Sequence, residues 1–409
     1  MLAAACTPKP EPEVAEPTAD PGFVVEGARV FDGESFLGRL HAGVRVLVRG
    51  GRIHDVGLNL DVPPDTEVVD GRGMTLLPGL IDAHTHVDEA EDLTQALLFG
   101  VTTELDMAMD PSLAGRLRGE QQRASVLDRA DLLSAGYLAT APEGHGTQYG
   151  MWLPTLTRVA EADEWVAERL EEGSDYIKLV VDDRSGYEML NLEIAVALIE
   201  AAHARDALAV AHIRRAAHAR ELAEAGVDGL AHIMTDELPG QDLVERFAEG
   251  GGFVVPTLQV FDGGQPEVMR SDLVRRWLGE EDRHHLDRLR TPGGPAPEAV
   301  AELHAGGVTL LAGSDAPTRP AVHGASLHGE LEMMLEAGLD PVDVLTAATA
   351  APADVLGLRD RGRIEPGRRA DLLLVDGDPA DDIRATAAIE RIWKAGEPVD
   401  RVALREVLP

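Results

Sequence analysis

The chain has a single cysteine, Cys6, among its 409 residues. One cysteine cannot form a disulfide within its own chain, and it cannot build a zinc site of the cysteine-rich kind. Any metal bound by this chain must therefore be held by histidine, by carboxylate or by a chemically modified lysine. The 14 histidines and 72 acidic residues provide many candidates for such ligands.

Aromatic and basic residues are also scarce. Phe, Trp and Tyr make up 4% of the chain, and the 37 basic residues leave a net charge of −35. A surface of this sign repels phosphate backbones, and few rings are available to stack on bases. We therefore expect a small-molecule substrate and no nucleic-acid partner, while a monomer and a homo-oligomer both fit the composition.

The sequence contains no apolar run long enough to cross a bilayer. Its first residues, MLAAAC, place small side chains before Cys6, and a Pro- and Glu-rich stretch follows. We expect residues 1–22 to be a disordered tether. This pattern favours the remnant of a truncated lipoprotein signal, with export to the periplasm or cell surface and anchoring through a lipidated Cys6. The alternative is the disordered tail of a cytoplasmic protein, because only five residues precede the cysteine.

The two ends of the remaining chain share one pattern. Residues 23–78 alternate β-rich runs with glycine turns, as in FVVEGARVFDG, and residues 362–409 do the same, as in GRIEPGRRADLLLVDGDP. Hydrophobic residues make up 44% of the sequence, enough for one large core and an accessory domain. We expect the two end segments to pair into one small β-sandwich domain.

The middle of the chain, residues 79–361, alternates apolar strand patterns with amphipathic helices. The eight candidate strands are LLPGLIDAH, VTTELDM, DLLSAGYLA, DYIKLVVD, ALAVAHI, GLAHI, FVVPTLQ and VTLLAGSD. Eight strand–helix units over this length predict an α/β fold of the (β/α)8 TIM barrel type. A doubly wound open sheet is the weaker alternative, because no Gly-x-Gly-x-x-Gly loop follows the first strand.

Polar side chains lie at or near the carboxyl ends of five of these strands, where the reactive groups of a barrel gather. They are His84, His86, Lys178, His212, His232 and Asp315. His84 and His86 project to one face because strand side chains alternate. Lys178, among apolar neighbours, must pair with an acid or be chemically changed, since a buried ammonium is costly. Each residue alone also fits a structural role, but together they predict a metal site.

These residues, with the phrases around them, resemble the amidohydrolase superfamily in its imidazolonepropionase-related and prolidase-like branch. The phrases include LLPGLIDAHTH, FGVTTELDM, AEAGVDGLAHI, FVVPTL and GRIEPGRRADLLLVDGDP. The resemblance covers roughly residues 25–400 and is specific for the superfamily and the branch, but not for a substrate.

The resemblance implies a site for two divalent metal ions, with Zn²⁺ favoured over Mn²⁺, Co²⁺ and Fe²⁺. The ligands of the more buried ion would be His84, His86 and Asp315. The ligands of the second ion would be His212 and His232. Lys178 would be carboxylated by CO2, and its carbamate would bridge both ions. A bridging hydroxide would then attack a carbonyl, and Asp315 would pass the proton to the leaving amine.

Features missing from the sequence narrow the function. Deaminases of the superfamily carry His-x-x-Glu, whereas His212 is followed by Ile-Arg-Arg, and imidazolonepropionases use one metal and lack the lysine at Lys178. Hydantoinase-like members separate the last two histidines more widely. We therefore expect a hydrolase of an amide C–N bond in an Xaa-Pro-like dipeptide or an N-acyl amino acid. The alternatives are a lactone or ester hydrolase with the same site and, from another class, a surface-tethered binding protein.

Substrate contacts follow from the loops after the strands. His145, in APEGHGTQYG, is expected to act in catalysis by contacting the scissile carbonyl or its oxyanion, unless this glycine-rich stretch is only a flexible loop. Tyr187 and His323 are further candidate substrate ligands. Arg214 and Arg215 either bind a substrate carboxylate or form surface ion pairs. We expect the remaining helical histidines to lie on the surface: His203, His218, His284, His285 and His328.

Overall fold

The computed structural model describes residues 22–37, 43–123, 126–184, 186–262, 265–288 and 294–409. Apart from Gly22, the predicted N-terminal tether lies outside these ranges, and so does Cys6. Within the described ranges, no helix combines the length and the hydropathy needed to cross a membrane.

Seven short strands occupy the first described segment. They are β1 (Phe23–Glu26), β2 (Arg29–Phe31), β3 (Phe36–Leu37), β4 (Arg45–Arg49), β5 (Arg52–Gly57), β6 (Glu67–Asp70) and β7 (Met74–Pro78). Gly50 and Gly51 join β4 to β5 with φ values of 57° and 74°. Two-residue hairpin turns of type I′ need positive φ at both positions, and glycine adopts it without a steric penalty.

The middle of the chain contains eight strands in two parallel sheets. They are β8 (Leu80–Thr85), β9 (Val101–Asp106), β10 (Asp131–Ser134), β11 (Ile177–Val180), β12 (Ala209–His212), β13 (Gly229–Ala231), β14 (Phe253–Val255) and β15 (Thr309–Leu310). One sheet holds β8 to β10 and the other β11 to β15. Parallel bridges between Ala139 and Leu179 and between Thr85 and Ala316 join the two sheets at both edges. Strand number, direction and order are those of the predicted (β/α)8 barrel.

Helices follow the strands and bury apolar faces against them. They are α1 (Ala90–Leu98), α2 (Pro111–Arg123), α3 (Ala162–Glu171), α4 (Leu192–His203), α5 (Ala216–Glu224), α6 (Gln241–Gly250), α7 (Leu258–Phe261), α8 (Glu267–Arg270), α9 (Asp272–Arg275), α10 (Glu280–Leu286), α11 (Ala296–Ala305), α12 (Ala325–Glu336), α13 (Pro341–Ala347) and α14 (Ala350–Val355). Short 3-10 helices span Thr147–Tyr149, Val159–Glu161 and Ile383–Ala387. The start of α13 shows how sequence sets a boundary: Asp340 caps two backbone N–H groups and Pro341 occupies the first turn.

Successive strand residues face two different apolar layers. Leu80 and Leu310 belong to the core between strands and helices, whereas Ile81 and Leu311 belong to a separate cluster formed by side chains of several strands. This alternation follows from the two-residue period of a strand. It leaves the carboxyl ends of the strands to carry the polar side chains.

The last segment pairs with the first. It contains β16 (Leu372–Asp376), β17 (Ile389–Lys394) and β18 (Glu397–Pro398). Strand β16 lies antiparallel to β7 in a six-stranded sheet with the order β18-β17-β16-β7-β2-β3, and a second sheet has the order β5-β4-β1-β6. Both sheets contribute to one apolar cluster, to which Val46 of β4 and Leu374 of β16 belong. The boundaries given for this domain stay a prediction.

The chain ends in a helix, α15 (Arg401–Val407), which was not expected in a segment predicted to be β-rich. Asp400 caps it by accepting hydrogen bonds from the backbone N–H groups of Val402 and Ala403. Arg401 donates through Nε to the carbonyl of Leu98, at the end of α1, at 2.9 Å. The last residues of the chain therefore pack against a helix of the barrel region.

Candidate metal centre

The structure brings the six predicted ligands together at the carboxyl ends of the strands. They are His84 within β8, His86 just after it, Lys178 within β11, His212 at the end of β12, His232 directly after β13, and Asp315 in the segment after β15. Of these, only His86 keeps a substantially exposed side chain, at 29%.

Asp315 lies at the centre of this group. Its Oδ1 atom is 3.4 Å from Nε2 of His84 and 3.3 Å from Nε2 of His86. The ring centroids of His84 and His232 are 4.6 Å apart. Ligand atoms of His84, His232 and Asp315 lie within 4.8 Å of one another. Imidazole nitrogens and a carboxylate oxygen at such separations can share one divalent cation, and the mixed donor set suits zinc.

Lys178 and His212 complete the cluster. The ring of His212 is 4.4 Å from that of His232. Lys178 is 2% exposed, and its Nζ atom has no hydrogen-bond partner in the described part of the chain. Burial lowers the pKa of Lys178 to about 7, although the nearby Asp315 opposes this effect. A lysine that is partly unprotonated near neutral pH can react with CO2, so Lys178 fits the predicted carbamate.

The protonation states of the cluster also suit a metal. Burial lowers the pKa of His84 to about 3 and lowers the pKa values of His212 and His232, which keeps their rings neutral. Burial alone would raise the pKa of Asp315, but His232, His84 and His86 hold it well below its usual range. Metal ligands must be unprotonated, and these four side chains are.

Unpaired nitrogen atoms point to the same conclusion. Within the described residues, both ring nitrogens of His84 and the Nε2 atom of His212 are buried without a hydrogen-bond partner. Buried polar atoms are nearly always paired, and each exception calls for an explanation. A divalent cation held by this cluster would satisfy one ring nitrogen of His84, and it would satisfy Nε2 of His212, whose nearest carboxylate oxygen, on Asp182, is 3.5 Å away. The residues present therefore fit a metal site.

Thr257 fixes the orientation of His232. Its hydroxyl donates to the carbonyl of Pro256 at 2.8 Å and lies 2.7 Å from Nδ1 of His232. Because the single hydroxyl hydrogen is already used, Nδ1 of His232 must donate to Thr257, which leaves the lone pair on Nε2. Such a partner on the far ring nitrogen is typical of histidines that bind metal.

The buried Glu330, on α12, holds the segment that carries Thr257. Its carboxyl oxygens accept hydrogen bonds from the backbone N–H groups of Leu258 at 2.9 Å and Gln259 at 3.2 Å. Neither Thr257 nor Glu330 was predicted from the sequence. The only local signal was that Thr257 ends the phrase FVVPT, at the carboxyl end of a predicted strand.

Two of the ligands have an unusual backbone. His232 has φ of 72° and Asp315 has φ of 59°, in the left-handed region that residues with a Cβ atom rarely adopt. The N–H of His232 donates to Val255 and that of Asp315 donates to His84, both at 2.8 Å. Such strain persists only where surrounding contacts impose it, and it clusters at functional sites.

Asp82 links the two strands that supply His84 and Asp315. This fully buried carboxyl accepts hydrogen bonds through Oδ1 from the backbone N–H of His84 at 3.2 Å and of Ser314 at 2.9 Å. Through Oδ1 it therefore helps to position both ligands. Asp82 belongs to the phrase LIDAHTH, but its role was not predicted.

His145 and Tyr187 lie beside the cluster. The ring of His145, in the loop between β10 and α3, is 4.9 Å from that of His212 and 5.5 Å from that of Tyr187. Arg184 donates to Nδ1 of His145, and Nε2 of Gln148 lies 3.3 Å from the same atom. Burial, with His212 and Arg184, lowers the pKa of His145 to about 3. His145 is therefore a neutral imidazole that carries its hydrogen on Nε2.

His323 does not join them, and its predicted role as a substrate ligand is corrected. The chain after Asp315 turns towards β9 and α1, so that Nδ1 of His323 lies 3.1 Å from both carboxyl oxygens of Glu104 and Nε2 lies 3.8 Å from Asp92. Burial lowers the pKa of His323, but Glu104 outweighs it and raises the pKa to about 10. This residue is a buried cation in an ion pair.

His328 was expected on the surface, and it is buried. It lies on α12, where Nδ1 is 2.9 Å from the hydroxyl of Thr386 and Nε2 is 2.9 Å from the carbonyl of Phe99. The helical period could not reveal this, because both partners are distant in the sequence.

Comparison with known proteins matches residues 75–402 to the family described as the amidohydrolase family. The imidazolonepropionase of Deinococcus deserti is 27% identical over 375 residues, which cover 87% of this chain and 91% of that protein. The imidazolonepropionase of Rubrobacter xylanophilus is 29% identical over 364 residues, which cover 81% of this chain and 84% of that protein.

Two solved structures share the fold. A Xaa-Pro dipeptidase with bound methionine in its active site has a TM-score of 0.73 at 20% identity, and the match covers 92% of this chain and 99% of that one. Molinate hydrolase has a TM-score of 0.74 at 20% identity, and the match covers 96% of this chain and 98% of that one. These similarities show a TIM-barrel fold, and the two names show that it supports different substrates.

Proposed function

Because the chain belongs to the amidohydrolase family and is a hydrolase of carbon–nitrogen bonds, we propose a specific substrate class for it. The proposed substrate is an Xaa-Pro-like dipeptide or an N-acyl amino acid, cleaved at a site for two divalent metals. Lys178 carries this proposal. It is buried, lacks a hydrogen-bond partner within the described residues, and lies among imidazoles and a carboxylate. A site for one metal would leave this amine unexplained, whereas a carbamate on it supplies a second anionic ligand.

The chain supplies ligands for both ions. The residues that would hold them are His84, His86, Lys178, His212, His232 and Asp315. When bound, such ions polarise a carbonyl group and acidify water. Zn²⁺ suits neutral imidazoles mixed with carboxylate oxygens, so it is the ion we propose.

In this proposal Asp315 carries the proton and His145 stabilises the oxyanion. Asp315 is ionised, since its pKa lies well below the usual range, and it can accept a proton from the attacking water and return it to the leaving nitrogen. His145 presents an N–H at Nε2, because Arg184 donates to its other ring nitrogen. This N–H can donate to the carbonyl oxygen as negative charge develops on it. Tyr187, next to His145, is the second proposed substrate contact.

The test is metal analysis of the purified protein, followed by a screen of dipeptides, N-acyl amino acids and lactones. We expect two metal ions per chain and turnover of amides. Lys178→Ala should lose one or both ions and the activity, and short carboxylic acids added to this variant should restore part of the rate. Full metal content and full rate in Lys178→Ala would disprove the bridging role. Turnover of lactones without turnover of amides would replace the proposal with an ester hydrolase.

A further inference from the structure

Three arginines lie in the segments that follow β11 and β12, and they differ in their partners. Arg215 is exposed and forms an ion pair with Asp183 at 2.8 Å. Arg184 lies 3.3 Å from Asp182, although its Nε atom is also buried without a hydrogen-bond partner among the described residues. Arg214 has no carboxylate partner within the described ranges, and its Nε atom is buried there without a hydrogen-bond partner.

Arg214 is held next to the metal cluster. It follows His212 by two residues, and its carbonyl accepts a hydrogen bond from the backbone N–H of Thr235 at 3.0 Å. Its guanidinium carbon lies 5.9 Å from the ring centroid of Phe261. Phe261 in turn stacks on His232, with ring centroids 4.4 Å apart and an angle of 23° between the planes. One aromatic ring thus lies between this cation and a proposed metal ligand.

The missing partner is significant in this chain. Acidic residues outnumber basic ones by 72 to 37, so a protein carboxylate is easily supplied. A half-buried cation without a counter-ion is unfavourable, and a bound anion would relieve that cost. The planar guanidinium group has the geometry to bind a carboxylate with two hydrogen bonds.

We propose that Arg214 determines specificity by binding the free carboxylate on the amino-acid part of the substrate, while Phe261 packs against that part. This inference rests on the proposed function, since an Xaa-Pro-like dipeptide and an N-acyl amino acid both carry such a carboxylate. Arg184 and Arg215 are not available for this role, because their charges are balanced by Asp182 and Asp183.

The experiment compares an N-acyl amino acid with its carboxamide, which keeps the scissile bond and loses the charge. In the wild-type metalloenzyme we expect a higher kcat/KM for the acid. In Arg214→Gln, the preference for the acid should fall about 10- to 100-fold, mainly through KM, because a charged donor is replaced by a neutral one. Arg214→Lys should restore part of the preference. Arg215→Gln is the matched control and should keep it.

The outcomes separate this inference from the proposed function. If the wild type hydrolyses neither compound nor any other amide tested, the proposed function fails. If it hydrolyses amides, but Arg214→Gln slows the acid and the carboxamide equally or changes neither, Arg214 is not a carboxylate ligand. Metal content is measured in every variant, and a loss of metal in Arg214→Gln would assign the residue to the support of His212 and also overturn the inference.

Discussion

At the scale of single residues, burial sets the charges of this site. It lowers the pKa of Lys178 to about 7 and keeps His84 neutral, while three imidazoles preserve the negative charge of Asp315. These charges are the ones that metal ligands need. His323 is also buried, but it lies next to Glu104. The carboxylate of Glu104 outweighs the effect of burial, raises the pKa of His323 and stabilises the protonated ring.

The ion pair of His323 makes stability depend on pH. Its pKa is raised from 6.5 to about 10 in the folded protein. Below pH 6.5 the ring is protonated in both the folded and the unfolded protein, and the ion pair contributes fully to the free energy of unfolding. As pH rises towards 10, the unfolded chain has already lost the proton, and the contribution of the ion pair disappears. His323→Gln should therefore cost about 3–5 kcal/mol of unfolding free energy near pH 6.5 and much less near pH 10.

Urea unfolding of both proteins at the two pH values measures this difference. His203→Gln is the control, because His203 forms a half-exposed ion pair with Asp228 that should contribute at most about 1 kcal/mol. A stability difference between wild type and His323→Gln that stays constant or grows with pH would contradict the assignment.

The residues of the site were predictable to the extent that each signal was local. His84, Lys178 and His232 lie at strand positions that the apolar pattern marks. The partner of His323 could not be found in this way, since Glu104 precedes it by 219 residues and the two meet only in the folded chain. For the same reason, the hydrogen bond that links Thr257 to His232 was not predicted.

At the scale of elements, the site depends on how closely neighbouring strands approach. Asp82 connects β8 to the segment after β15 through Ser314, and Asp315 donates its backbone N–H to the carbonyl of His84. Gly313 lies where the segment after β15 approaches His84. The sequence predicted all eight strands because an apolar run is a local property, but it did not predict the spacing between them.

Gly313 tests that spacing. A Cβ atom at Gly313 would lie 2.5 Å from Cγ1 of Val255, 2.8 Å from Cβ of His84 and 2.9 Å from the backbone nitrogen of His84. Because backbone cannot yield easily, Gly313→Ala should displace His84 and reduce both metal content and kcat, the latter by about 100-fold. Metal analysis and steady-state kinetics check this. Gly115→Ala on α2 is the control, since a Cβ atom at Gly115 would have no neighbour within 4 Å. Equal activity in the two variants would contradict this role of Gly313.

At the scale of the whole molecule, a buried ion network joins the barrel region to the C-terminal segment. Asp131, the first residue of β10, lies 2.7 Å from Nζ of Lys394 on β17, 2.6 Å from Arg369 and 2.7 Å from Arg361. Burial raises the pKa of Asp131, but these three cations together hold it well below its usual range. The network lies at the amino end of the strand, away from the metal ligands, so we assign it to stability rather than to catalysis.

Removing the charge of Asp131 leaves three cations without their shared partner. Asp131→Asn should lower the free energy of unfolding by about 3–5 kcal/mol, as expected for a broken buried ion pair. The kcat of the folded variant should stay unchanged. Asp163→Asn, which removes an exposed partner of Arg205, should cost less than about 1 kcal/mol. Chemical denaturation measures the free energy of unfolding, and kinetics below the unfolding transition measure kcat. A loss of kcat with unchanged stability would contradict the assignment of this network to stability.

The pairing of the two chain ends was predictable from their matching strand-and-turn patterns, and β7 does lie beside β16. The network around Asp131 was not, because Asp131 and Arg369, for example, lie 238 residues apart in the sequence. The short helix α15 was also missed, since its capping aspartate follows directly on a strand pattern.

We propose that this chain hydrolyses amide bonds with two metal ions held by the cluster around Asp315 and Lys178. The most direct test is a titration of the metal-free protein with zinc in the presence of bicarbonate, while release of the amino acid from an N-acyl amino acid or dipeptide is followed. We predict no release without metal and a rate that rises to a plateau at two equivalents per chain. Undiminished release from the metal-free protein, or a plateau at one equivalent, would contradict a two-metal amide hydrolase.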